Sequence, residues 1–329
     1  MKQLRQAFSL LLLAALLAAL LAPGARAAGA PIRIAFIDSG ISTKHIDCAK
    51  VAEGYNYVFP ESDTEDRIGH GTATAGLVLG AEEQGVAGAF PDAVAVPLVV
   101  VDVYPSGAAK NGGPEALCQA IYDAVDRFGC RIINISLCTA EDSEALRAAA
   151  DYAEAHGVLL IAAVGNDGES EQTYYPAAYP TVVSVGSADG DEVAAFSQRG
   201  ADLLTEGVEL LSATNKNGKA PVTVQGTSYS CALLTGFCAR LLALYPELKP
   251  ARVRSALYAL AEDILTPGFD LDSGWGILRA ECAIPYPYAA LPVLSAKQKK
   301  RFTAVRADAA AQIIPMPWRA ATGATPMLE

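Results

Sequence analysis

Histidine is scarce in this chain: only His45, His70 and His156 occur in 329 residues. Positive charge is scarce too, with 25 Lys and Arg against 36 Asp and Glu, a net charge of −11. Nucleic-acid binding wants a basic face, so no nucleic-acid partner is expected. The 7 cysteines contain no C-x-x-C pair, which argues against a structural zinc site. Their number is odd and their spacing resembles no dense disulfide framework. Cys231 and Cys238 fall within one expected helix, where they stand about 10 Å apart, beyond disulfide reach. No internal repeat and no G-x-S-x-G motif is present. With 52% apolar and only 19% charged residues, a disordered chain is excluded.

Long apolar runs are missing as well, except at the N-terminus. There Lys2 and Arg5 precede an apolar run over 8–22, Pro23-Gly24 breaks it, and Ala25-Arg26-Ala27 offers a small-x-small cleavage site. The run has 15 residues, short of the roughly 20 that span a bilayer. Residues 1–27 therefore read as a signal peptide, and the mature chain is expected to be secreted or periplasmic, without a stable membrane span. Charge divides unevenly along the rest: residues 28–284 carry −18 and residues 285–329 carry +4. The expected organisation is one domain over 28–284 and an Ala- and Pro-rich C-terminal extension of uncertain order over 285–329. The sequence carries no sign of an oligomeric state.

Between residues 31 and 185, short Val- and Ile-rich runs at 32–37, 93–101, 131–137, 158–164 and 181–185 show little period-two alternation, as strands covered on both faces do. Amphipathic helical patterns lie between them. One starts at Pro114 and stops at Gly129, with Leu117, Ile121, Val125 and Phe128 on one face; a second spans 141–156 and stops at Gly157. The segment 227–245 is apolar all round and reads as a buried helix that Pro246 and Pro250 end. The fold class is α/β: a mostly parallel central sheet with helices on both faces, in three layers.

Chemistry has few carriers. His156 reads as a solvated helix cap, and His45 lies in a polar loop. His70, in Gly69-His70-Gly71-Thr72, opens the apolar helix 73–79, a poor place for an ionisable side chain unless it works as a base. Asp38 closes the first strand at the carboxyl edge of a parallel sheet, where α/β folds bind ligands, although Asp-Ser-Gly alone is a common turn. Asn166, in Gly165-Asn166-Asp167-Gly168, also fits a turn. Ser228 opens the buried helix in Gly226-Thr227-Ser228, as an N-cap or as a nucleophile favoured by the free N–H groups there. An α/β-hydrolase needs its histidine after its serine, and the chymotrypsin order needs an all-β chain. Asp, then His, then Ser on an α/β fold is the subtilisin order.

At these residues the sequence resembles the subtilases, the subtilisin-like serine peptidases. Ile37-Asp38-Ser39-Gly40 resembles their Asp motif, His70-Gly71-Thr72-Ala73-Thr74-Ala75-Gly76 their His motif, and Gly226-Thr227-Ser228 their Ser motif. Ala162-Ala163-Val164-Gly165-Asn166 resembles the oxyanion segment, and Ile133-Asn134-Ile135-Ser136-Leu137 the substrate-binding strand. Tyr175–Gly186 resembles the strand after the Asn loop. The resemblance implies an exported serine endopeptidase acting on protein or peptide substrates through an acyl-enzyme. Ser228 would attack, His70 would relay the proton, Asp38 would orient His70, and Asn166 with the Ser228 N–H would bind the oxyanion. Ser136, Leu137, Cys138, Ala163, Val164 and Gly165 would contact substrate.

Departures from the family pattern accompany it. Ala232 stands where the Ser motif usually has Pro, Ala73 where the His motif has a second His, and Cys138 where the binding strand has Gly. No cofactor is expected to be required. Asp47 matches a calcium ligand of many subtilases, but the segment and loop that complete that site are missing, so calcium is possible but not expected. Cleavage at Ala27 would leave about four residues before the first strand, so no inhibitory prosegment is expected. The alternative is a subtilase-like binding or scaffold protein with weak or no catalysis. An aspartic protease built on Asp38-Ser39-Gly40 and Asp272-Ser273-Gly274 conflicts with the alternation of strands and helices.

Overall fold

A computed structural model describes residues 31–170, 172–218, 220–279, 282, 291–300 and 302. The expected signal peptide and the end of the chain lie outside the described residues. The strands, in chain order, are β1 (Arg33–Asp38), β2 (Tyr55–Asn56), β3 (Val94–Val99), β4 (Val101–Val103), β5 (Ala109–Asn111), β6 (Ile132–Ile135), β7 (Leu159–Ala163), β8 (Val183–Asp189), β9 (Glu192–Val193), β10 (Leu203–Glu206), β11 (Leu210–Ser212) and β12 (Val222–Val224). The α-helices are α1 (His70–Leu79), α2 (Gly113–Asp126), α3 (Glu144–Ala155), α4 (Thr227–Leu244) and α5 (Pro250–Leu260).

The central sheet has the order β10-β8-β7-β6-β1-β3-β2. Its pairings are parallel except for β9, which lies antiparallel on β8. Because successive side chains alternate across a strand, each apolar run feeds two cores at once. In β1, Ile34 and Phe36 join the core shared with α1, α4 and α5, while Ala35 and Ile37 join the core shared with α2 and α3. In β7, Leu159 and Ile161 face the first core and Leu160 and Ala162 the second. This is the three-layer α/β arrangement that the sequence implied.

Helix α4 is long and apolar enough to cross a membrane by length and composition, yet most of it is buried against the sheet. Polar contacts also cross this interface: Asn134 Oδ1 of β6 accepts from Thr235 Oγ1 at 2.9 Å and Cys231 Sγ at 3.3 Å, and Ser230 Oγ bonds to Ser187 Oγ of β8 at 2.8 Å. A buried amide hydrogen-bonded at both its oxygen and its nitrogen is tolerated in such a layer. None of the seven cysteines forms a disulfide.

Two parts differ from expectation. Pro250, read as a stop, instead occupies the first turn of α5, where its missing N–H costs nothing. Part of the C-terminal extension is packed: Arg252 donates to the carbonyls of Leu291 and Pro292 at 2.9 and 3.1 Å, Leu294 N donates to Ser255 Oγ at 3.1 Å, and Leu291 and Leu294 are buried. Asp272 is exposed beside Arg199 at 3.7 Å, whereas Asp38 is fully buried, so the two Asp-Ser-Gly triplets form no carboxylate dyad.

Candidate active site

Asp38, Ser136 and Asn166 follow or end β1, β6 and β7, three adjacent parallel strands, so the sheet brings them to one carboxyl edge. The Asp38 carboxylate is buried. Its Oδ1 accepts from Ser39 N and from His70 Nδ1, both at 2.7 Å, and its Oδ2 from Thr74 Oγ1 at 3.3 Å. That bond assigns the proton to Nδ1 and leaves Nε2 as the acceptor. Burial pulls the His70 pKa down, but the charge and hydrogen bond of Asp38, with Asp66 behind it, outweigh burial and hold it above the ordinary value.

His70 can approach Asp38 because the neighbouring backbone is bare. Gly69 turns into the helix at φ +105°, and a Cβ on Gly71 would stand 2.2 Å from the carbonyl of Gly40. The other two histidines are engaged elsewhere: His45 Nε2 bonds to Lys216 O at 2.9 Å, and His156 caps α3 with Nδ1 at 2.8 Å from Tyr152 O.

Ser228 is not the N-cap that one sequence reading allowed. Gly226 is the cap, at φ +135°, and Ser228 is the second helical residue. Its Oγ donates to Ser136 O at 3.0 Å, and Ser136 Oγ donates to Ser228 O at 2.9 Å, so strand end and helix start hold each other. Asn134 Nδ2 donates to Ser136 Oγ at 3.0 Å and ties this pair to the core. Among the described residues no hydrogen bond joins Ser228 Oγ to His70; the serine rests on the strand carbonyl. The ring of Tyr229, next in the helix, lies 5.6 Å from the His70 ring between centroids.

Asn166 has its orientation set by α4. Its Oδ1 accepts from Thr227 N at 2.9 Å and Thr227 Oγ1 at 3.0 Å, which turns the amide N–H groups away from the helix backbone. Thr227 N, Tyr229 N and Ser230 N are all engaged, so the Ser228 N–H is the donor that the α4 N-terminus adds to this amide, and together they face an anionic oxygen. Of the expected substrate contacts, Ser136, Ala163 and Val164 are buried, Leu137 is half-buried and Cys138 is exposed. Desolvation, with the Asp167 charge nearby, pushes the Cys138 thiol up to about 11, so it is a neutral thiol at physiological pH. Tyr174 packs where a Cβ on Gly165 would stand, 2.7 Å from its ring, and donates its hydroxyl to Asp167.

On the His70 side lies a cleft of about 560 Å³ lined by His70, Tyr229, Ala73, Val224 and the loop around Thr214–Pro221. Sequence reading missed Tyr229, Thr227 and Asp66. Thr227 was visible as part of Gly226-Thr227-Ser228, but its contact with Asn166 crosses 61 residues and has no local signature. Among the described residues no group of three or more His, Cys, Asp or Glu is placed to hold a metal ion. Asp47 Oδ1 accepts from Ala49 N at 2.9 Å.

Comparison with known proteins identifies the family. The sequence profile of the subtilase family matches residues 29–276. Subtilisin DY of Bacillus licheniformis is 34% identical over 262 residues, covering 78% of this chain and 91% of that protein. Fervidolysin of Fervidobacterium pennivorans is 31% identical over 292 residues, covering 79% of this chain but only 42% of its own length. Among solved structures, sphericase superposes with a TM-score of 0.67 at 28% identity, covering 77% of this chain and 92% of that one.

Proposed function

Given that this chain belongs to the subtilase family, we propose that it is an exported serine endopeptidase in which Ser228, His70 and Asp38 carry the reaction. The observation that supports this reading most directly is the 2.7 Å bond from His70 Nδ1 to the buried Asp38 carboxylate, with the Ser228-bearing helix start beside it. Rotation about its Cα–Cβ bond would take Ser228 Oγ from the Ser136 carbonyl towards His70 Nε2. His70 would then accept the hydroxyl proton as Oγ attacks the scissile carbonyl, and Asp38 would stabilise the imidazolium. The Asn166 amide and the Ser228 N–H would take the negative charge of the tetrahedral oxygen. His70 would return the proton to the leaving amine, freeing a C-terminal peptide product into the cleft on its own side. Water activated by the same imidazole would hydrolyse the acyl-enzyme.

Substrate would run as an extended chain past Ser136, Leu137 and Cys138, with Ala163, Val164 and Gly165 opposite. Export through residues 1–27 belongs to the same reading, as does an active protein without a required cofactor.

A fluorophosphonate probe and an internally quenched peptide library test the proposal together. Expected are stoichiometric labelling of Ser228, cleavage of peptides, and loss of both in S228A. Folded protein that neither labels nor cleaves would instead establish the binding or scaffold reading. N-terminal sequencing of protein recovered outside the cytoplasm should start at Ala28.

A further inference from the structure

A second carboxylate, Asp66, is buried beside the Asp38–His70 pair at only 2% exposure. Its Oδ1 accepts from Ser39 Oγ at 2.9 Å, Ile68 N at 2.9 Å and Gly69 N at 2.7 Å. Its Oδ2 accepts from Thr72 N at 2.8 Å and Thr72 Oγ1 at 2.6 Å. Five donors on two oxygens leave no room for a proton of its own, so this arrangement needs the anion. These donors belong to different pieces of the site. Ser39 follows Asp38 and donates its N–H to that carboxylate, and its Oγ also accepts from Gly71 N at 2.9 Å. Ile68, Gly69 and Thr72 enclose His70. The main-chain carbonyl of Asp66 accepts from Asn215 Nδ2 at 3.0 Å, on the loop that walls the cleft.

We infer that Asp66 is a positioning residue for His70: it locks the turn after Asp38 and the first turn of α1 into one hydrogen-bonded unit and keeps a fixed negative charge behind the imidazole. The inference rests on the endopeptidase reading above. An orienting group of this kind matters because a misplacement of about 1 Å in a reacting pair costs on the order of 10² in rate.

The surrounding ionisable groups leave that charge uncompensated by a cation in contact. Arg67, next in sequence, turns to Asp63 at 2.6 Å and Asp102 at 3.3 Å, and Glu65 accepts from Ser42 Oγ. Across the site, Lys44 and His45 bond to carbonyls of the Asn215-Lys216 loop. Asp38 and, on α4, Tyr229 complete the set. Burial and the Asp38 charge raise the Asp66 pKa against the hydrogen bonds from Gly69 and Thr72, while the Asp66 charge adds to the rise at His70.

The test is the pH profile of kcat/KM for D66N, S39A and T72V, with rates normalised to fluorophosphonate-labelled sites. D66N keeps the shape but removes the charge and turns acceptors into donors. Its kcat per labelled site should fall about tenfold or more, with KM within about twofold. The acid limb should move to lower pH by about half a unit to one unit. S39A and T72V keep the charge and remove one donor to Asp66 each, together with the acceptor of Gly71 N and of Ser42 N respectively, so kcat should fall several fold with the limb unmoved. A purely structural role would lower the melting temperature and the labelled fraction and leave the limb and the normalised kcat at wild-type values; that result in D66N overturns the inference. Should D66N not fold, unchanged normalised kcat in both S39A and T72V overturns it. A wild-type chain that neither labels nor cleaves removes the endopeptidase reading itself, a distinguishable failure.

Discussion

A histidine that must accept a proton from serine has to be neutral first, and the carboxylates around His70 favour its charged form. The rise in the His70 pKa therefore fixes the direction of two pH effects. Activity needs the neutral ring, so kcat/KM should climb with pH along an acid limb centred above the ordinary histidine value of 6.5. Stability runs the other way. A group whose folded pKa exceeds its unfolded one stabilises fully below the unfolded value and loses that contribution as pH rises through the folded value. Melting temperatures measured from pH 6 upward should decline through the same window in which activity appears, and H70A should flatten that part of the curve. An acid limb below 6.5 would contradict the electrostatics of the site.

Asn166 offers a second test at this scale. N166L removes the side-chain donor and should lower kcat by about 10²–10³ with little change in KM; that range is borrowed from the equivalent change in subtilisin itself. T227V takes away one of the two donors that aim Asn166 and should cost only about fivefold, the worth of a single hydrogen bond. Asp38, Asn166 and Ser228 were legible as candidates only together with His70: alone they fit turns and a helix cap, and the order of the four along an α/β chain with the surrounding family motifs singled them out. Asp66 was not legible. Asp-Arg-Ile-Gly reads as an ordinary turn, and only the fold reveals that donors from both sides of His70 converge on it.

Elements carry these residues to one place only where backbones can nearly touch. α1 lies on the turn after β1 because Gly71 has no side chain: a Cβ would meet Gly40 O at 2.2 Å and the Asp38 Cβ at 3.2 Å. Both neighbours are fixed, one of them main chain, so G71A must push α1 away. We expect a loss of about 1–3 kcal/mol in chemical denaturation, together with a normalised kcat reduced beyond what the lost stability explains. A G71A protein with wild-type kinetics would show that the approach of α1 to β1 is not what sets the Asp38–His70 bond. The parallel strands β1, β3, β6, β7 and β8 and helices α2 to α4 were readable from the hydrophobic pattern, since a strand buried on both faces must be apolar throughout and an all-apolar helix must be covered; β2 and β10, at the sheet's edges, were not. α5 escaped because Pro250 was taken as a stop; the same ring that ends a helix from within is well placed in its first turn. The hairpins β4–β5 and β11–β12 escaped because three-residue strands carry too little pattern to read.

For the whole molecule, the sequence sets an acidic body beside a basic extension of uncertain order, and the described piece of the extension is held by apolar packing. Leu291 and Leu294 are buried, and the Phe302 ring stands 5.6 Å from Tyr258, 4.8 Å from Phe269 and 5.6 Å from Trp275 between centroids. Burying side chains of this kind is worth about 1.5–3 kcal/mol each. Composition concealed this, because three apolar contacts in a segment rich in Ala and Pro leave no periodic trace. Truncation after residue 290 should therefore lower the melting temperature by about 10–20 °C. Trp275 becomes the sole tryptophan once Trp318 is removed, so its emission should report the exposed aromatic cluster directly by shifting to longer wavelength relative to a W318F full-length control. F302A in the full chain should reproduce part of both changes while keeping every charge. The active-site residues are held by other elements, so peptide cleavage per labelled serine should persist in the truncated chain well below its melting temperature. An unchanged melting temperature in both variants would mean that the extension rests on the body without stabilising it.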